Sequence, residues 1–186
     1  TNDEQWPYRV KFSGTDLLGN VTIPEGDPTD LETSLEVSLD ASSESYPLHT
    51  FNLLNDGVME KIAKAFKLQP SEIAGATLDA GTVKADGFSG PADGKVAVGL
   101  TNPDGKVSYA YSANGIGFWI AADGTASSWG DAPIYYEYDA GGYGLTVGHN
   151  PGHSEKSKTY IIKPTMVYNK GGKLHKAVIT IKMKFA

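Results

Sequence analysis

Apolar and polar residues alternate along most of this chain, and glycine-bearing dipeptides cut the alternation at short intervals. In "LEVSL", Leu35, Val37 and Leu39 fall on one side, and in "KVAVGL" so do Val96, Val98 and Leu100. "VSYAY" does the same with Val107, Tyr109 and Tyr111, and the last stretch with Ala177, Ile179, Ile181, Met183 and Phe185. Period two is the signature of half-buried strands. Between the runs stand Asp-Gly at 86–87, 93–94, 104–105 and 123–124, Asn-Gly at 114–115, and Gly-Gly at 141–142 and 171–172. Short strands with turn signals at this spacing predict an all-β fold, an antiparallel β-sandwich of the jelly-roll kind.

One segment departs from the pattern. In "DGVMEKIAKAFKLQPSEIAGA", Val58, Ile62, Ala65 and Phe66 recur at helical spacing, and Pro70-Ser71-Glu72 opens a second short helix that Gly75 ends. The expected architecture is one compact sandwich over 1–186 with a short helical insert near 58–75. Two closely packed halves are the alternative.

Charge is unevenly distributed. Residues 1–60 hold 12 acidic and 2 basic side chains, whereas residues 154–186 hold 8 Lys and one Glu. In "AVITIKMKFA" the lysines alternate with apolar residues, so they are expected on the wet face of a strand. Acidic early strands would then favour pairing of the two chain ends. The formal net charge of -6 gives a nucleic-acid partner no electrostatic help. No run of about 20 apolar residues offers a transmembrane segment. With 0 Cys, thiolate metal sites and cysteine nucleophiles are excluded. The opening "TNDEQWPY" lacks an initiator Met, which suggests removal of an N-terminal piece such as a signal peptide.

The densest aromatic chemistry lies in "NGIGFWIAADGTASSWGD", residues 114–131. Indole faces stack on the apolar faces of sugar rings, and neighbouring carboxylates take hydroxyls, so Trp119, Trp129 and Asp131 form a candidate glycan platform. Register decides whether the two tryptophans share a face, and a shared face can still be core, the commoner place for large aromatics and one that Gly115, Gly117 and Gly130 would also suit. A two-residue Asp123-Gly124 turn puts the tryptophans on opposite faces. A three-residue Ala122-Asp123-Gly124 loop with Gly124 left-handed puts them on one face, and Ala before Asp-Gly favours this form. In "IYYEYD", Ile134, Tyr136 and Tyr138 share one face. Tyr135 and Glu137 share the other, which is either a solvated strand face or a surface for polyol hydroxyls. His149 and Asn150 in "GHNPGHSE" could close the rim of such a site. Pro151 and Gly152 exclude a helical metal pair of His149 with His153, and no third ligand is indicated. There is no G-x-S-x-G elbow, no phosphate loop and no D-x-D-x-D-G calcium loop. No metal and no cofactor are therefore expected.

Four segments, "IAKAFKLQPSEIAG", "NGIGFWIAADGTASSWGD", "YYEYDAGGYGLTVGHNPG" and "YIIKPTMVYNKG", occur in this order over 58–186 and resemble the DUF4859 family. Ile120 and Ala122 depart from the family pattern, as does "VGHNPG". The resemblance implies an extracytoplasmic domain of Bacteroidetes at the cell surface or in the periplasm. Such a domain is lipid-anchored or secreted and works beside carbohydrate-active domains. It implies no catalytic residues. The function expected is non-catalytic: binding of a polysaccharide or other glycan, or an accessory role in a surface glycan-handling assembly. The alternatives are a structural module that contacts another surface protein and keeps its aromatics in the core, and a glycosidase-like enzyme drawing on Asp131, Glu137 and Asp139.

Overall fold

The computed structural model describes residues 17–21, 29–74, 93–94, 96–110, 116–139 and 143–186. The early strands are β1 (Leu17–Val21), β2 (Thr29–Leu39) and β3 (Pro47–Asn52), followed by helices α1 (Val58–Phe66) and α2 (Pro70–Ala74). The central strands are β4 (Val96–Thr101), β5 (Val107–Ala110), β6 (Ile116–Ile120), β7 (Ile134–Asp139) and β8 (Gly144–His149). The chain closes with β9 (Thr159–Ile162), β10 (Pro164–Lys170) and β11 (Lys173–Phe185). A seven-stranded sheet has the order β1-β5-β4-β10-β11-β2, with β9 also on β11, and a four-stranded sheet has the order β3-β8-β7-β6. The fold is an all-β sandwich.

Turn chemistry sets the registers. Lys170 pairs with Lys173, and both residues between them, Gly171 and Gly172, have positive φ (60° and 82°). Only a mirror-image turn matches the strand twist there, and glycine adopts it without steric cost. The pairs Ile162 with Ile181 and Thr165 with Val178 have one common offset, so β9 and β10 form a single run broken at Lys163. The Lys163 carbonyl instead accepts the Thr101 N–H at 2.9 Å.

The apolar faces anticipated from alternation meet in the core. Ala177, Ile179, Ile181, Met183 and Phe185 of β11 face Tyr136 and Tyr138 of β7 and Leu145 and Val147 of β8 in one buried cluster. Leu39, Val96, Val98 and Leu100 join it, with Leu35 and Val37 at its margin. Tyr109 and Tyr111 lie outside the residues whose side chains are described. A hydroxyl bridges the two sheets: Tyr136 Oη donates to the Gly99 carbonyl at 2.5 Å. Burial alone holds this phenol well above its ordinary pKa.

Helix α1 packs into the same core, against the larger sheet. It buries Val58, Met59, Ile62, Ala63 and Phe66, and Phe66 stacks on Tyr168 with centroids 6.0 Å apart. It ends in a Schellman cap: Leu68 N–H reaches the Ala63 carbonyl at 2.7 Å, with Lys67 left-handed at φ 60°. In α2, Glu72 reaches back to the Gln69 N–H at 2.6 Å. The Gly75 stop lies outside the described residues.

The two oppositely charged stretches do pair. Strands β2 and β11 run side by side, joined by a Glu36–Lys184 ion pair and by Asp30, which bonds His175 Nδ1 and the Lys176 N–H at 2.8 Å each. This pair is parallel, and so departs from the antiparallel expectation. Complementary charges favour adjacency in either direction, while direction follows from the path of the intervening chain.

Candidate functional site

The Trp119 hairpin adopts the three-residue form. Gly124 N–H donates to the Ala121 carbonyl at 2.9 Å, Ala121 N–H donates to the Thr125 carbonyl at 2.8 Å, and Gly124 has φ 92°. The Asp123 carboxylate accepts the Thr125 N–H at 2.9 Å, and its bonds to the Thr125 hydroxyl and N–H hold its pKa below the ordinary value. Ile120 then pairs with Ala126, and Ser127 N–H donates to the Trp119 carbonyl at 2.8 Å.

No shared platform results. The chain leaves the ladder at Ser128, whose carbonyl accepts N–H groups from Asp131 (3.1 Å) and Ala132 (2.9 Å). Trp129 therefore sits on a turn and is 42% exposed, whereas Trp119 is 0% exposed. Two buried asparagines fix this segment from either side. Asn102 Oδ1 accepts the Ala126 N–H at 3.0 Å, and Asn150 Nδ2 donates to the Trp129 carbonyl at 2.8 Å. Asp131 is exposed, and Ser128 Oγ donates to it at 3.3 Å.

The face carrying Tyr135 and Glu137 is not an open strand face. Tyr135 is fully buried against Trp119 (centroids 5.0 Å apart), with Ala132 beside them and Tyr46 set edge-on to Trp119 at 6.3 Å. Its cross-strand partner Gly148 makes room, because a methyl group there would overlap the Tyr135 ring and the Tyr46 carbonyl. Glu137 faces Gly117 on one side and Thr146 on the other, and Thr146 Oγ1 lies 2.8 Å from Thr50 Oγ1. Glu137 is half-buried, and burial pushes its carboxyl up to about 7.

His149 and Asn150 are buried as well, so neither forms a rim. His149 Nδ1 lies 2.7 Å from Ser154 Oγ, and the ring stacks on Phe185 with centroids 5.9 Å apart. Desolvation lowers the imidazole pKa, opposed by the backbone of Ser45 and Ser43 and by Asp40. A serine within reach of a histidine is the pairing a nucleophile needs. Here no carboxylate among the described residues hydrogen-bonds the ring's far nitrogen. Among the described residues, no three His, Cys, Asp or Glu side chains gather as a metal site would require.

Of the seven anticipated site residues, Trp129 and Asp131 share one exposed turn and Glu137 is half-buried on the outer sheet face. Trp119 and Tyr135 pack together, and His149 and Asn150 act as internal braces. Sequence reasoning missed Asn102 and Ser154. Their only local signals are an Asn opening a Pro-Asp-Gly turn and a Ser following the His149 loop.

These features define an all-β sandwich domain whose smaller sheet ends in a braced, exposed tryptophan turn. The chain belongs to a family described as a domain of unknown function, DUF4859, whose profile matches residues 45–173. The match takes in the whole smaller sheet and the Trp129 turn but leaves out β2 and nearly all of β11. No curated protein and no solved structure matches the chain. No described helix is long and apolar enough to cross a membrane.

Proposed function

We propose that this is a non-catalytic, extracytoplasmic glycan-binding domain, carried at the cell surface or in the periplasm of Bacteroidetes, with lipid anchoring through its N-terminal side. Recognition is centred on Trp129, which stacks on a sugar face while Asp131 takes hydroxyls. The observation that carries this reading is the exposed indole on a turn whose backbone is held by buried Asn150. Fixing an aromatic in its binding pose before the ligand arrives lowers the ordering cost of binding.

The alternative, a surface that docks another protein, gains less support. Among the described residues, the exposed large apolar side chains are Leu54 in the turn before α1, Trp129 in its turn and Ile161 on β9, three positions far apart in the chain, whereas a docking surface needs a contiguous patch. Affinity electrophoresis in gels cast with individual polysaccharides tests the glycan reading. Retardation in at least one gel, lost in Trp129→Ala, is expected. Unretarded migration in every gel counts against it.

A further inference from the structure

A cleft of about 430 Å³ lies beside the braced end of β8, lined by Asp40, Ala41, Ser42, Ser154, Lys156 and Ala186. Its volume falls within the range of small-molecule sites, roughly 300–1,000 Å³. Hydrogen bonds hold Asp40, Ser42, Ser154 and Ala186 in place, while the Lys156 side chain is exposed. Asp40 Oδ1 accepts the Ser42 N–H at 2.9 Å and the Ser42 hydroxyl at 2.7 Å. Ser154 Oγ is held at 2.7 Å by His149, a residue with 0% exposure that does not line the cleft. The far wall is tied down where Ala186 N–H reaches the Leu39 carbonyl (2.8 Å) and Ser157 N–H reaches the Phe185 carbonyl (2.9 Å).

The charge pattern selects the ligand class. The lining side chains supply one carboxylate, one ammonium and two hydroxyls, so among them an anion or a cation meets one attractive and one repulsive group. A neutral ligand with adjacent hydroxyls can donate to Asp40 and Ser154 and accept from Lys156.

We propose that this cleft is a second sugar subsite, which takes one neutral pyranose through vicinal hydroxyls bonded to Asp40, Ser154 and Lys156. The proposal rests on the glycan-binding reading above and adds a polar pocket to its stacking surface. Methyl glycosides of glucose, galactose, mannose and xylose are the probes, read by amide shifts in two-dimensional NMR of the full chain.

At least one glycoside should shift Ser42, Ser154 and Lys156, and Asp40→Asn should weaken it about tenfold or more, as loss of a charge-assisted hydrogen bond does. Because Asp40 also organises its own turn, Lys156→Met is the second variant and should weaken the same glycoside with the fold intact. The proposal is overturned if none of the four shifts these residues, or if both variants bind as the parent does. Trp129→Ala separates the two readings. Cleft shifts that persist in this variant, while polymer retardation never appears in any gel, leave the subsite standing without the stacking surface. Retardation that depends on Trp129, with no cleft shifts, leaves only the stacking surface.

Discussion

His149 and Asn150 are adjacent at the end of β8 yet serve different partners. The first holds Ser154 Oγ at 2.7 Å, and the second holds the Trp129 carbonyl at 2.8 Å. One strand end thus braces two loops, the last residue of β8 holding one and the residue after it the other. Asn150→Ala leaves the Trp129 carbonyl without this donor, at a cost of about 1–3 kcal/mol. Urea denaturation should show that loss, and the Trp129 indole should gain mobility in fluorescence anisotropy.

The two hairpin tryptophans should respond differently to truncation. Trp119→Ala empties a fully buried site beside Tyr135 and should cost about 3–5 kcal/mol. Trp129→Ala removes a partly exposed ring and should stay within about 0.5 kcal/mol. Equal denaturation midpoints for the two variants would contradict these positions.

Gly148 leaves no space for a side chain beneath Tyr135. Gly148→Ala should displace that ring or part β8 from Tyr46, costing about 1–3 kcal/mol as overpacking does. Near-ultraviolet circular dichroism, which reports the packed aromatics, should weaken even where far-ultraviolet signals persist.

Glu137 should make stability pH-dependent. Its folded carboxyl titrates near 7 against an ordinary 4.5, so the folded state holds the proton more tightly. That contribution is fully present below about pH 4.5 and is lost as pH rises through about 7. Glu137→Gln should therefore gain stability at pH 8 and none at pH 4. The gain should be on the order of 1 kcal/mol once solvent screening of this half-buried group is allowed for. Urea midpoints of both proteins at the two pH values check the sign.

Local chemistry made much of this fold legible. The alternation that placed Ile179 and Ile181 inward is fixed by the pleat, and Ala122-Asp123-Gly124 states its own turn type. The fates of Trp119 and Trp129 were not legible, because they depend on distant bonds: Asn150 to Trp129, Asn102 to Ala126, and the notch at Gly148 under Tyr135. Nothing near Trp119 in sequence specifies Tyr46 as its edge-on neighbour. The cleft is assembled by Asp40, Ser154 and Ala186 from three separate stretches, so no single motif could announce it.

Isothermal titration of the parent chain and of Trp129→Ala against a panel of polysaccharides tests glycan recognition at the exposed turn most directly. Binding to at least one polysaccharide is expected, with affinity reduced at least tenfold in Trp129→Ala while its denaturation midpoint is unchanged. A parent chain that binds none of the panel, or a variant that binds as tightly as the parent, would contradict recognition at Trp129.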